Sequence, residues 1–315
     1  MSKISYSRYK RFLTCPQLDK YHSVDKLRPS RISSDLVFGV AVDKALNALL
    51  LKTSDPIETF QNEFEWSKLQ NVNWDLKDLQ YELFTTEELH FHAEKPEEYL
   101  IYACLRRKGR IMIETYIKNM LPKIREVHSV QKELNSRPGI LDAVLTIDGH
   151  GIVLADHKTA RQPYSPDAIE NDTQLALYAS DQNIQRVAYI VLCKTFRFNK
   201  VCIKCGRDGS FTQHKTCAIE NVGIRCHGAF ERQIDTSKIL QLIIQDTPKI
   251  NQELINESIT KVEGCIERGE YYRNLSACGN QYGKRCPYFN KCWKNDETGL
   301  ETKQEEKKDE KVSKS

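Results

Sequence analysis

Gly139-Ile-Leu-Asp142, Ile152-Val-Leu-Ala-Asp156-His-Lys158-Thr159 and Gln174-Leu-Ala-Leu-Tyr178 set two carboxylates and a lysine on what reads as a β-hairpin followed by a helix. Val144 to Ile147 and Ile152 to Ala155 are short β-rich runs, and Asp148-Gly-His-Gly151 between them is a strong hairpin signal. A turn centred near Gly149 and His150 brings Asp142 to within about one residue of lying opposite Asp156. Asp156 and Lys158 are two apart on an extended strand, so their side chains share a face. Two carboxylates there can hold a hard cation, and an ammonium can steady a phosphate or orient an attacking water, which is what metal-assisted phosphodiester cleavage requires. Taken alone, Asp-x-Lys is equally the composition of a solvated strand end; the flanking segments make the difference.

After Pro166, the run Asp167 to Gln182 reads as a helix with Ile169, Leu175, Leu177 and Tyr178 as its apolar stripe. Gln174 and Tyr178, four apart, share a face, either as a functional pair or as a boundary residue beside a core tyrosine. Upstream, Phe38-Gly-Val-Ala-Val-Asp43-Lys-Ala-Leu reads as an apolar helix interrupted by one carboxylate. A metal is one candidate partner for that acid, and plain surface exposure is the other. Glu133, on the strand preceding Asp142, is a further candidate ligand or a strand-end carboxylate.

In this order, the N-terminal serine-rich segment with Cys15-Pro16, Phe-Gly-x-Ala-Val-Asp, Gly-Ile-x-Asp, Asp-x-Lys-Thr and Gln-Leu-x-Leu-Tyr resemble the RecB-type (RecB/AddB-like) branch of the PD-(D/E)xK nucleases, over residues 4 to about 294. The resemblance implies Asp142 and Asp156 as metal ligands, Lys158 as the catalytic lysine, and Gln174 and Tyr178 as contacts to DNA near the scissile phosphate. Family members commonly carry a metal-binding His where this chain has Asp43. An aspartate oxygen also suits Mg²⁺ or Mn²⁺, so Asp43 is expected as a third catalytic-metal ligand. The implied activity is hydrolysis of DNA with free or single-stranded ends, exonucleolytic rather than site-specific, in recombination, repair or replication. Two other readings stand beside it: a non-catalytic DNA-binding scaffold, and an accessory nuclease subunit working beside a helicase or recombination partner. Carboxylates that repel phosphate argue against the scaffold. The chain carries no Gly-x-x-x-x-Gly-Lys-Ser/Thr phosphate loop of its own.

Eleven cysteines in 315 residues, with no apolar N-terminal signal segment, point to a cytoplasmic or other reducing compartment where thiols bind metals or stay free. Cys278, Cys286 and Cys292 share a loop-rich segment suited to one centre, and three thiolates need a fourth. The resemblance supplies Cys15, pairing it with the C-terminal three around a 4Fe-4S cluster that clips the chain's ends together; zinc on the same thiolates is the alternative. Cys202-Ile-Lys-Cys205 has the form of a zinc knuckle, and Cys217 and Cys226 follow after eleven and eight residues, completing a tetrahedral Zn²⁺ set. His214 and His227 lie close enough in sequence to replace one cysteine. The insert is basic, with Lys200, Lys204, Arg207, Lys215 and Arg225, and poor in apolar residues, so metal would supply most of its folding free energy, on the order of 10 kcal/mol. Those bases either grip DNA or keep the loop in solution. Cys193 reads as a core-strand thiol, and Cys104 and Cys265 as ordinary buried residues.

A 40 % hydrophobic content can bury a full core, and no apolar run is long enough for a membrane span, so a soluble protein is expected. A net charge of +4 is too small to carry a nucleic-acid argument. Tyr6-Ser-Arg-Tyr-Lys-Arg-Phe12 suits phosphate contact and base stacking, or equally an amphipathic helix with its aromatics inward. Helices are expected over Glu58 to Leu69, Leu76 to Ala93, Pro96 to Met120 and Ser237 to Arg268, and strands from Glu126 to Lys132, near Val191 and over Phe230 to Ile234. The expected organisation is a helical N-terminal section (1–128), a catalytic core (129–199), a zinc-binding insertion (200–229), a C-terminal strand, helices and cysteine cluster (230–294) and a disordered charged tail (295–315). The fold class is α/β, a restriction-endonuclease-like mixed sheet flanked by helices.

Overall fold

A computed structural model describes residues 3–303 except 135, 208, 210–216, 218–219, 222–223, 227 and 280–284; at 220, 221, 224 and 225 it describes the backbone alone. Its centre is a five-stranded mixed sheet. Strands β1 (Ile124–Glu133), β2 (Ile140–Ile147) and β3 (Gly151–Ala160) form an antiparallel meander, β4 (Arg186–Cys193) runs parallel to β3, and a last strand, Leu240–Asp246, closes the far edge antiparallel to β4. The parallel step needs a crossover, and the helix Thr173–Asp181 lies on it.

Period-two alternation sorts side chains into two layers. Val153, Ala155, Ala188, Ile190 and Leu192 face one apolar cluster, with Phe38, Ala41, Ala45 and Leu46 of helix Ser34–Leu51 and Leu105, Met112, Ile113 and Tyr116 of helix Glu97–Asn119. Leu154, Val187, Tyr189 and Val191 face the other, with helix Tyr6–Thr14, Leu175 and Tyr178 of the crossover helix, and Ile259 and Val262 of helix Gln252–Glu267. The helices are hereafter α1 (Tyr6–Thr14), α2 (Ser34–Leu51), α3 (Glu97–Asn119), α4 (Thr173–Asp181) and α5 (Gln252–Glu267). β4 is buried on both faces from Val187 to Cys193, each large aliphatic side chain contributing about 1.5–3 kcal/mol of burial. Among the described residues no helix is long and apolar enough to cross a membrane.

Several expected elements come out differently. Ser237 to Arg268 is not one helix: Leu240–Asp246 is a strand and only Gln252–Glu267 is helical. Leu240, Leu242 and Ile244 pack on one face and Ile243 on the other, and this strand takes up the hydrogen bonds that β4 would otherwise leave buried and unmade. Leu76 to Ala93 begins as two short 3₁₀ turns, and the α-helix starts only at Thr86, where Thr85 and Glu88 form a capping box. The turn is held from outside, by Lys108 Nζ donating to the Asp78 carbonyl at 2.6 Å and the Gln80 N–H donating to the Cys104 sulfur at 3.3 Å. Glu58 to Leu69 divides into helix Pro56–Glu63 and a 3₁₀ turn, and α4 likewise starts only at Thr173, after a 3₁₀ turn over Pro166–Ile169.

The aromatics of the N-terminal segment turn inward. Tyr6, Tyr9 and Phe12 are buried, and the Tyr9 hydroxyl meets Ser258 of α5, so α1 is an amphipathic core helix and not a stacking platform. The expected disorder from 295 onward also needs correction, because Leu300–Thr302 pairs antiparallel with Leu27–Pro29. Main-chain pairing needs no apolar sequence, which is why a charged, polar stretch concealed it. Residues 304–315 lie outside the described residues.

Candidate active site and metal centres

The site lies where β2 and β3 part. Their pairing runs to Ala143 opposite Ala155, which leaves Asp142 across from Asp156, as the hairpin reading expects. The two carboxylates nevertheless take different partners. Asp142 Oδ2 accepts the His157 backbone N–H at 3.0 Å, while Asp156 Oδ2 lies 2.5 Å from Lys158 Nζ. Lys158 Nζ also sits 5.9 Å over the Tyr189 ring, whose hydroxyl donates to Asp172, the N-cap of α4.

Asp43 arrives from the opposite layer. Helix α2 crosses β3 at Gly39, where an added Cβ would lie 3.1 Å from Thr159 Oγ1, so glycine lets the helix sit this close without pushing the Thr159 side chain aside. One turn later Asp43 shares that face and points at the strand ends. Its carboxylate accepts from Asn47 Nδ2 at 3.0 Å and from Gln131 Nε2 at 3.4 Å. Ligand atoms of Asp43, Asp142 and His157 all lie within 4.8 Å of one another. His157, the middle residue of Asp-x-Lys, is thus the member that sequence reasoning missed. Strand alternation carried the only signal, since it sends position 157 to the α2 layer that also holds Asp43.

Asp43, Asp142, His157, Lys158 and Thr159 line a cavity of about 520 Å³, a size that accommodates a nucleotide. Leu36 and Val40, both exposed, complete its rim on the face of α2 that bears Asp43. Behind it lies a charged network that the sequence did not announce. Lys194, 3 % exposed, bonds Asp78 at 3.0 Å and pairs with Asp35, and Arg161 reaches Asp75 at 2.7 Å and Asp78 at 3.4 Å. These pairs tie the start of α2 to the ends of β3 and β4, and removing one partner of such a buried pair costs about 3–5 kcal/mol.

The electrostatics call for a cation. Burial, then the neighbouring Asp142, push Asp43 up to about 6. Burial pushes Asp156 up to about 7 even against the attraction of Lys158. Burial would lower Lys158, but Asp156 and Asp142 hold it above its ordinary value, so the ammonium stays charged. Burial pushes His157 down to about 4, which leaves a neutral imidazole with a lone pair. Asp43 and Asp142, with His157 Nδ1 buried and unpartnered, form a donor set that fits a divalent ion; Asp156, expected as a ligand beside them, is paired with Lys158 on the other face of the strand and stands outside this group.

Gln174 and Tyr178 are brought together, Gln174 Nε2 donating to Tyr178 Oη at 3.1 Å. Tyr178 backs onto Gly139, where a Cβ would stand 2.7 Å from the tyrosine oxygen, so the motif glycine and the motif tyrosine are steric partners. Tyr178 lines a separate depression with Arg137 and Asn256 rather than the cavity around Asp43. Glu133 is exposed at the end of β1 and stands outside the Asp43, Asp142 and His157 group.

Both cysteine sets converge. Cys202, Cys205, Cys217 and Cys226 bring their sulfurs within 4.8 Å of one another, with 3.6 Å between Cys202 and Cys226 and 3.8 Å between Cys205 and Cys217. A tetrahedral ion with bonds of about 2.3 Å sets its thiolates about 3.8 Å apart, so this set fits a single ion. Burial would raise Cys202, but backbone N–H groups of Cys205 and Lys204 hold its thiol down at about 7. The set hangs on the antiparallel strands Phe198–Cys202 and Phe230–Ile234. His214, Lys215 and His227 lie outside the described residues, as does the Arg225 side chain.

Cys15, Cys278, Cys286 and Cys292 line one cavity with Leu18, Tyr21 and Tyr288. Among the described residues, no three of these sulfurs lie within 4.8 Å of one another, a wider spacing than the insert's. Protein contacts already stitch the ends here: the Asn274 N–H donates to Cys15 Sγ at 3.4 Å, the Gln17 N–H to the Tyr272 carbonyl at 3.0 Å, and the Tyr288 hydroxyl to the Leu27 carbonyl at 2.9 Å.

No curated protein matches the chain. The sequence profile of the PD-(D/E)XK nuclease superfamily does, over residues 3–181, a span that holds Asp43, the hairpin with Asp142, Asp156 and Lys158, and α4. The match covers more than half of the chain and agrees with the mixed sheet flanked by helices; the chain belongs to the PD-(D/E)XK nuclease superfamily, whose members are metal-dependent phosphodiester hydrolases.

Proposed function

We propose that the chain is a deoxyribonuclease of the RecB type that degrades DNA from free or single-stranded ends in recombination, repair or replication, alone or beside a helicase or recombination partner. The observation that carries this reading is the meeting of Asp43, Asp142 and Lys158 in one cavity at the parted ends of β2 and β3. Asp43 and Asp142, with Asp156 on the neighbouring face of β3, would hold Mg²⁺ or Mn²⁺, and the ion would supply Lewis-acid polarisation of the phosphate and a more acidic bound water. Lys158, kept protonated by Asp156 and Asp142, orients the water or offsets charge as it builds on the phosphate. Leu36 and Val40 on the rim favour an unpaired strand, because they offer apolar contact to base faces that a duplex keeps stacked inside. Gln174 and Tyr178 act from α4 on DNA approaching the scissile bond.

The terminal cysteines hold a 4Fe-4S cluster as a staple between the chain's ends, and the insert holds Zn²⁺. Lys204 and Arg207, both exposed in the insert, extend the grip on the backbone. The test is purified protein incubated with end-labelled single- and double-stranded DNA in Mg²⁺, Mn²⁺ or chelator. Divalent-dependent shortening from the ends of single strands, faster than duplex cleavage, is expected. Internal cuts only, or equal rates on RNA, would replace the exonuclease and DNA assignments.

A further inference from the structure

Strand β3 sends alternate side chains to opposite layers, so Asp156 and Lys158 go one way and His157 goes the other, into the apolar layer under α2 and α3. An imidazole there needs partners for both nitrogens, since a buried polar atom left unsatisfied costs about 1–3 kcal/mol. One partner is present: Nε2 lies 3.1 Å from the hydroxyl of Tyr116, a residue of α3 with no exposure at all. The other nitrogen, Nδ1, is buried with no hydrogen-bond partner. The ring stands within 4.8 Å, ligand atom to ligand atom, of both Asp43 and Asp142. A rigidly packed imidazole, fixed at one nitrogen and bare at the other beside two carboxylates, is built like a metal ligand oriented by an outer hydrogen bond.

We infer, on the reading that this end of the sheet is a divalent-metal site, that His157 is a protein ligand of the catalytic metal through Nδ1, with Tyr116 as its positioning residue. Bonding through Nδ1 requires the proton on Nε2, so Nε2–H donates and the Tyr116 oxygen accepts. The buried hydroxyl holds the ring orientation, and it can accept from the Nε2–H that metal bonding at Nδ1 requires. The resulting donor set mixes one nitrogen with carboxylate oxygens. Mg²⁺ takes oxygen ligands almost exclusively, whereas affinity for nitrogen rises along the first-row metals, so His157 biases the site toward Mn²⁺. Asp156, on the other face of the strand, contributes nothing to that bias.

The experiment is Mn²⁺ titration by calorimetry with pulsed EPR of the Mn²⁺-loaded full chain, prepared with natural-abundance and with ¹⁵N-labelled histidine. Direct nitrogen coupling that changes with the histidine label, and disappears in His157→Asn, is expected. Tyr116→Phe should keep the coupling but weaken Mn²⁺ by about tenfold or more, with a smaller change for Mg²⁺. Two failures are distinguishable. Mn²⁺ that binds the parent, is lost in Asp142→Asn, and shows no histidine coupling overturns the role of His157 and leaves the metal site standing. A parent that binds no Mn²⁺, or binds it undiminished in Asp142→Asn, overturns both. The spectrum of the parent needs no variant, so a misfolded His157→Asn does not remove the test.

Discussion

The carboxylate end of the sheet and the cysteine insert are both metal-ready donor sets, but they rest on opposite kinds of support. Asp142, Asp156, His157 and Lys158 are carried on strands that two apolar layers hold in place, and Asp43 on a helix packed against them. Nothing about that scaffold needs an ion, and crowding three carboxylates there opposes folding once they are charged. Among the described residues of the insert, Cys202, Cys217 and two glycines, Gly209 and Gly228, are buried, and Ile203, Lys204, Cys205, Gly206 and Arg207 are exposed, so no large apolar side chain is buried beside the thiols. A metal bound there would stand in place of a core. On the proposed reading, a ligand at the sheet end serves chemistry, and a ligand in the insert serves shape.

The sharpest way to break that contrast is to remove one ligand from each. Asp142→Asn should lower cleavage by roughly 10²–10³-fold or more while the melting temperature holds or rises, because it removes one of the crowded negative charges without opening a cavity, whereas Lys158→Ala should lower cleavage as far but cost stability, since it takes the ammonium away from Asp156. A nuclease assay beside thermal melts checks both halves, and a large loss of stability with Asp142→Asn would erase the distinction. Cys205→Ser should do the reverse: zinc is lost from the insert, amide exchange accelerates across about residues 200–229, and the sheet keeps its protection. Affinity for long DNA and the steepness of its salt dependence should fall with the insert, and unchanged exchange in metal-free insert would show that it folds on its own contacts.

The terminal cysteines fall between these extremes. Cys286→Ser should abolish the brown colour, iron and acid-labile sulfide of anaerobically purified protein. Its stability loss should stay partial, since Tyr288, Leu27 and the paired Leu300–Thr302 continue to join the ends. Stoichiometric zinc without iron in the parent would assign a single ion there instead. The smallest expected effect is on pH. Asp43 at about 6 and Asp156 at about 7 lie above the 3.8 of an unfolded aspartate, so folding favours their protonated forms. Metal-free protein then loses stability as pH rises from about 4 through 7, the unfolded state binding fewer protons than the native one over that interval. Saturating Mn²⁺ should reverse the slope. Melts in EDTA and in Mn²⁺ between about pH 5 and pH 8 measure it, and a slope unaltered by Asp43→Asn would show that Asp43 is not among its sources.

Legibility differed among these regions for a physical reason. The hairpin, Asp142 opposite Asp156, and the Cys-x-x-Cys knuckle could be read because each is governed by neighbours a few residues away, through pleat, turn and chelate geometry. The strand Leu240–Asp246 was mistaken for helix because what makes it a strand is the unmet hydrogen bonding of β4, some fifty residues earlier. The buried Lys194 with Asp78 and Asp35 left no pattern either, since its members come from three separated segments.

By itself the sequence determined the chemistry on offer: the acids, the lysine, the two cysteine sets, and the alternation that puts Asp156 and Lys158 on one face. Only the tertiary structure decided which of those groups meet. It turned Tyr6, Tyr9 and Phe12 inward, paired Asp156 with Lys158, and brought His157 beside Asp43 across the interface of α2 and β3. Local periodicity sets the direction in which a side chain leaves the backbone, but its partner is set by how layers pack. That depends on close approaches such as Gly39 against Thr159, which no spacing along the chain encodes.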